Sequence, residues 1–428
     1  MSKNKTSYRV FEYQSIRYPS GKHHCSWFKK EHFDAFSAYK HKNENTPFFE
    51  LIDRGVRFKS YVGAIRIGKT TIEVLPKADK EKGNENKWQE VLLDMLKTCH
   101  LLKAKKSGEA NLKLKANSVF ELYFELFVNE VEQLIRQGLI KKYRKKEGNR
   151  NALKGALVFS KHITKNIVHK EKFYVRYTDY NKNHIEHQIL FEALLAIQQL
   201  NTSSLLSDRI GRIMLDFPIV NRIKVNEKTF STLVENRKTA PYQLALDIAE
   251  LILLNYRPDI KSGSRNLLAI MFDMNVLWEE YVYRVLRKYQ SNFDLKYNVL
   301  AQQKKKFWST TNQTMNLKPD VLIEVNQKKY IIDTKWKKVK NNRPEDQDIR
   351  QMFAYNQVWK SNQSILLYPG EESNDSDLGV YSSKLFINSE TDHHCLVGFI
   401  NVMKYKDDKK GFAKTIFKKI VNVEHESG

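Results

Sequence analysis

The chain opens with short runs in which apolar and polar residues alternate, such as YRVFEYQSIRY and VRFKSYVGAIRI, the period of half-buried strands. GAIRIGKTTIEVLPK reads as a hairpin turning at Gly68 and Lys69, and Tyr8 to about Lys77 predicts a small barrel-like β region. The charged, glycine-containing KEKGNENK (Lys80–Lys87) predicts a linker. The apolar period then becomes three and four. WQEVLLDMLKTCHLL, SVFELYFELFVNEVEQLIRQGL, HIEHQILFEALLAIQQL and YQLALDIAELILLNY predict helices, the second ending near Gly138, with KKYRKKEGNRNALKG as a basic loop. In the last third, FDMNVLWEEYVYRVLRKY predicts an amphipathic helix and KYNVLAQQ a short strand. LKPDVLIEV and KKYIIDTKW predict two apolar strands around a tight polar turn at Asn326–Lys328. PEDQDIRQMFAYNQVW predicts a helix with Pro344 near its first turn, and SILLYP a strand.

The fold class expected is therefore α+β and multidomain. Residues 1–79 form a β-rich region, 88–264 a mainly helical middle, and 265–428 an α/β unit with a mixed central sheet. The linker and the middle separate the outer regions in sequence, which predicts that the first can be removed without unfolding the last.

At 428 residues the chain is long enough for two or three domains, and 41% apolar residues with 23 Phe and 21 Tyr exclude global disorder. Lys and Arg number 73 against 49 Asp and Glu, a formal charge of +24 that attracts polyanions. A general lysine bias would give the same excess, so charge makes nucleic acid a candidate partner and no more. Three scattered cysteines, Cys25, Cys99 and Cys395, do not make a disulfide framework. MSKNKTSYRVFEYQ lacks the apolar core of a signal peptide, and Leu244–Tyr256 is short and interrupted by Asp247 and Glu250. A cytoplasmic protein without a membrane segment is expected.

One hairpin carries a set of groups suited to phosphodiester cleavage. Pro319-Asp320 is followed, twelve residues on, by Asp333-Thr334-Lys335. Asp333 and Lys335, two apart on a strand, share a face, and Asp320 on the neighbouring strand is close enough to share a cation with Asp333. Carboxylate oxygens select Mg²⁺ or Mn²⁺, and a lysine can hold the attacking water or the phosphate. The bare pattern is weak: Pro258-Asp259 and Asp407-Asp408-Lys409-Lys410 match parts of it by accident. Context is what distinguishes the hairpin, since Asp333 and Lys335 interrupt the apolar YIIDTKW. A structural ion pair is the alternative. Gln351 and Tyr355, four apart on one helix, could orient a metal-bound water or a phosphate, or be ordinary helix surface. Glu279 could give the cation a third carboxylate, or face solvent beside Glu280.

Other motifs are less informative. His23-His24-Cys25 and His393-His394-Cys395 have ligand chemistry without zinc-site spacing. Gly63 to Thr70 (GAIRIGKT) matches a phosphate-loop pattern, yet continues as the β-rich TIEVLP where such a loop needs a helix.

The Pro319-Asp320…Asp333-Thr334-Lys335 set followed by QMFAY resembles the PD-(D/E)XK nuclease domain of the McrC family, the cleavage subunits of McrBC restriction systems. YVGAIRIGKTTIEVLPK, the stretch from YRKKEGNRNALKGALVF to KFYVRYTDY, and NVLWEEYV are similar to further family segments, in the family's order. The resemblance implies a metal-dependent DNA endonuclease acting on DNA that contains modified cytosine. It also implies a partner, a McrB-like AAA+ GTPase ring, docking through residues 1–79 and using GTP that this chain itself does not bind. A stand-alone nuclease of repair or another defence system, or a non-cleaving activator of a motor ATPase, remain alternative readings; a neighbouring AAA+ gene would discriminate between them.

Overall fold

The computed structural model describes residues 6–18, 25–42, 46–68, 70–77, 84–104, 118–257, 267–293, 296–337, 339, 343–382 and 393–421. The chain forms two compact units, one of residues 1–110 with 258–428 and one of residues 111–257. Residues 1–79 and 265–428, read apart in the sequence, thus share a unit.

In the first unit, strands β1 (Thr6–Phe11), β5 (Tyr61–Ile67) and β6 (Thr70–Leu75) lie in the order β1-β6-β5, with β1 parallel and β5 antiparallel to β6. A second sheet, β2-β4-β3, joins Ser15–Arg17, Gly55–Phe58 and Phe49–Ile52. Helix α1 (Lys30–Lys42) covers a core in which Phe28, Phe36, Phe49 and Phe58 are fully buried. Helix α2 spans Glu85–Ala104, so the segment expected to be a linker already contains the start of a helix at Glu85; residues 78–83 lie outside the described residues. The sheets of the described residues are open. The barrel-like expectation is corrected, because the free edge of β5 is taken by a strand from far along the chain.

The second unit packs α3 (Val119–Gln137), α5 (Ile185–Leu200), α6 (Ser204–Asp216) and α8 (Gln243–Asn255) together. Ser118 caps α3 by accepting from Glu121 N at 3.2 Å, and Gly138, at φ 88°, ends it as its sequence predicts. The expected basic loop is instead strand β7 (Lys142–Arg150), paired along its length with β9 (Phe173–Asn181), while β8 (Ala156–Leu157) joins on the other side. Two short helices, α4 (Phe159–Lys165) and α7 (Glu227–Ser231), and the two-residue β10 (Tyr256–Arg257) complete the unit. Charge hid β7: it carries no aliphatic stripe and is held by cross-strand pairs. Lys146 meets Asp179 at 2.6 Å, Arg176 meets Glu147 at 2.7 Å, and the Tyr143 and Tyr180 rings lie 4.5 Å apart.

The chain re-enters the first unit with β11 (Leu267–Asp273), which pairs antiparallel with β5. Gly63 is required there, because a Cβ on it would sit 2.1 Å from the Ile270 carbonyl oxygen. Helix α9 (Met274–Tyr289) is capped by Asp273. A six-stranded sheet follows in the order β12-β15-β16-β17-β19-β18, from Asn298–Ala301, Val321–Val325, Lys328–Thr334, Gln363–Pro369, His394–Ile400 and Gly379–Val380. β16, β17 and β19 run parallel and the other pairings are antiparallel, the expected mixed sheet. Asn326 and Gln327 both have positive φ, 49° and 68°, as a two-residue hairpin turn demands. Helix α10 (Asp346–Trp359) buries Met352, Tyr355 and Trp359 on Leu322, Ile331 and Leu366 of the sheet. Helix α11 (Lys409–Val421) packs on β17, β19 and α9. Strands β13 (Lys305–Ser309) and β14 (Thr314–Leu317) form a separate hairpin between β12 and β15. No helix of the described residues is long and apolar enough to cross a membrane.

Candidate active site

The apolar character of YIID makes β16 an interior strand, which carries Asp333 into the sheet at 2% exposure. Lys335 lies just past the strand and extends the ladder by one bond, its N–H donating to Leu367 O at 3.0 Å. Its ammonium reaches back to Asp333 Oδ2 at 2.8 Å and donates to Gln351 Oε1 at 3.2 Å. Gln351 donates in turn to Tyr355 OH at 2.7 Å, and that hydroxyl donates to Lys318 O at 3.0 Å. Asp320, on the adjoining turn before β15, accepts from Thr334 N at 2.7 Å and Thr334 Oγ1 at 2.8 Å. Asp320, Asp333, Lys335, Gln351 and Tyr355 therefore converge. Glu279, on α9, accepts from Gln302 Nε2, and Gln302 N donates to Asp320 O at 3.1 Å.

Electrostatics set these carboxyls apart. Burial, together with the charge of Asp320, pushes the Asp333 carboxyl up to about 7 against the opposing pull of Lys335. Burial also raises Asp320, although Thr334 donates two hydrogen bonds to it. Glu279 is raised by burial and then by Asp320. Burial alone would lower Lys335, but Asp333, Asp348 and Asp320 more than offset this and hold it above its ordinary range. The ion-pair alternative is present as a contact between Asp333 and Lys335, yet one lysine does not neutralise both the buried Asp333 and the partly buried Asp320. Asp333 Oδ2 meets Lys335 at ion-pair distance but accepts no aligned hydrogen bond.

Among the described residues, no three His, Cys, Asp or Glu side chains form a ready-made cation cage. Mg²⁺ does not require one, since it keeps several waters and binds through one or two carboxylates plus phosphate oxygens. The Asp320 and Asp333 donor set, desolvated and short of positive charge, fits such a cation; Glu279 is coupled to Asp320 through its charge.

Asp348 belongs to the candidate site and was missed in the sequence. It is buried, 3.6 Å from the Lys335 ammonium and 2.7 Å from that of Lys337. The signal was available: Asp348, Gln351 and Tyr355 follow a three-then-four spacing on one helix face. Two other motifs have different surroundings. Gly63 to Thr70 runs strand, turn, strand, with Lys69 outside the described residues. His393 is buried with Nδ1 3.0 Å from Ser361 O; His23 and His24 lie outside the described residues.

The sequence profile of the family described as "McrBC 5-methylcytosine restriction system component" matches residues 56–369. No curated protein matches the chain in sequence. A chain of the refined half-complex from the tetradecameric assembly of Thermococcus gammatolerans McrB AAA+ hexamers with bound McrC is similar in fold. The TM-score is 0.61 at 17% identity, over 96% of this chain and 100% of that one. A chain of the Thermococcus gammatolerans McrBC complex aligns at 18% identity and a TM-score of 0.47, over 67% and 89%. The profile spans the β5–β6 hairpin, the second unit and the β15–β16 segment with Asp320, Asp333 and Lys335. The chain belongs to the family of McrBC 5-methylcytosine restriction system components.

Proposed function

We propose that this chain is the DNA-cutting subunit of a McrBC-like restriction system: a metal-dependent endonuclease of the PD-(D/E)XK type that also stimulates a partner AAA+ GTPase in the cytoplasm. The observation that carries the reading is a nearly inaccessible Asp333, its carboxyl raised by burial and by the charge of Asp320 and paired with Lys335, where an apolar strand ends. The family supports the system, and the assembly of the Thermococcus gammatolerans relative with McrB supports the partner.

Asp320 and Asp333 would hold the divalent cation, with Glu279 in reach of their field. The bound cation would supply a polarised water and neutralise charge on the scissile phosphate. Lys335 places a fixed positive charge beside Asp333, where it can hold the attacking water or a phosphate oxygen. Gln351 accepts from Lys335 and donates to Tyr355, which fixes the direction of the ammonium. DNA carrying modified cytosine is the substrate that the family points to.

The test uses the purified chain, a partner GTPase and DNA carrying 5-methylcytosine. Chelation should stop cutting and Mg²⁺ restore it. Lys335→Ala and Asp333→Ala should each abolish cutting, while Asp333→Ala still stimulates GTP turnover by the partner. Normal cutting by a folded Lys335→Ala protein, or cutting that survives thorough chelation, would overturn the assignment.

A further inference from the structure

The hairpin of β13 and β14 leaves the sheet at one side of the candidate site and returns directly into it. Gln302 N donates to Asp320 O at the outgoing end, and only Lys318 and Pro319 separate Leu317 from Asp320 at the returning end. Its base is fixed. Lys305 Nζ donates to Val358 O at 2.9 Å and lies 5.2 Å from the Trp359 ring centre, and Tyr355 OH donates to Lys318 O. Beyond the base the ribbon touches no core: Phe307, Trp308 and Met315 are 59%, 47% and 61% exposed. Trp308 and Met315 face each other across the strands, with a bulge at Phe307. The seventeen residues from Gln302 to Lys318 contain four lysines and no carboxylate. Neither Lys304 nor Lys306 is ion-paired among the described residues.

A two-stranded ribbon that exposes three large apolar side chains beside unbalanced positive charge has the composition of a binding surface for a polyanion, and a ribbon of this kind fits the major groove of DNA. We propose that this hairpin is a DNA-gripping arm: Lys304 and Lys306 contact phosphates flanking the cut, and Phe307, Trp308 and Met315 press into the groove of the duplex. Two features select duplex DNA over a protein partner, the absence of any acidic residue and the continuity with Asp320. The assignment rests on the nuclease reading and adds to it how the scissile phosphate is brought to Asp320 and Asp333.

The experiment measures binding rather than cutting, on the full chain carrying Asp333→Asn, by fluorescence anisotropy of a labelled duplex over a series of salt concentrations. Lys304→Gln with Lys306→Gln should weaken binding and reduce the slope of log affinity against log salt by about 2, since each phosphate contact contributes roughly 0.9. Arginine at both positions should restore the slope. Phe307→Ala with Trp308→Ala should weaken binding roughly tenfold with the slope unchanged. All four positions are exposed, so thermal melting should match the parent. Unchanged affinity and slope in every variant would overturn the assignment. So would unaltered DNA binding with lost association to the AAA+ partner, which would make the hairpin a protein-docking arm. Failure of the unsubstituted protein to cut DNA would count against the nuclease reading alone, because the binding result stands without cleavage.

Discussion

Asp333 occupies a position where an ionised carboxylate is poorly accommodated: interior strand, neighbouring carboxyl, one lysine. The unfolded chain ionises this group near its ordinary 3.8, whereas the folded chain keeps the proton up to about 7. Between those values the folded state binds more protons, so the cation-free protein should lose stability as pH rises, by up to about 1.4 kcal/mol per pH unit, and level off above 7. Asp333→Asn should lessen that slope, leaving the part that comes from Asp320 and Glu279, and melt above the parent at pH 8 when both are measured in excess chelator. Parallel melting curves from pH 5 to 8 would show that the carboxyl is not strained. At this scale the clustering of much of the candidate site was legible in the sequence, because a charge placed inside YIIDTKW needs a reason. Asp348 was not read, since an acidic residue in the first turn of a helix has an ordinary explanation in the helix dipole.

Elements were legible where apolar spacing or turn chemistry carried the information. Asn326–Gln327 gave the β15–β16 turn, and Ser118 and Gly138 bounded α3. Charged β7 was not legible, because cross-strand ion and tyrosine pairs leave no apolar period to read. Neither was the partner of β5. A strand edge carries no address in the sequence for a mate so far along the chain, and only Gly63 hints that another backbone comes close. Gly63→Ala should therefore be costly for so small a change, since its Cβ would collide with Ile270 O in a backbone conformation that alanine avoids. The expected loss is roughly 1–3 kcal/mol or more in chemical denaturation. A loss below about 0.5 kcal/mol, the ordinary range for a surface substitution, would mean that β5 and β11 are not in the described register.

For the whole molecule, the shared unit of residues 1–110 and 258–428 reverses an expectation drawn from sequence distance. The indole N–H of Trp336, the residue after Lys335, donates to buried Glu12 at 2.7 Å, and β11 pairs with β5 along its whole length. Removing residues 1–77 should consequently yield an aggregating chain without nuclease activity. A soluble, cleaving 78–428 protein would refute this. The same pairing imposes a schedule on synthesis. Roughly 190 residues separate Leu75 from Leu267, and at about 5–20 residues per second the free edge of β5 waits roughly 10–40 s for its mate. Throughout that interval the nascent chain presents Val62, Ala64 and Ile65, all buried in the finished protein, on an open strand edge that invites mispairing. A chaperone holding the first hundred residues on the ribosome would have its greatest effect in this interval.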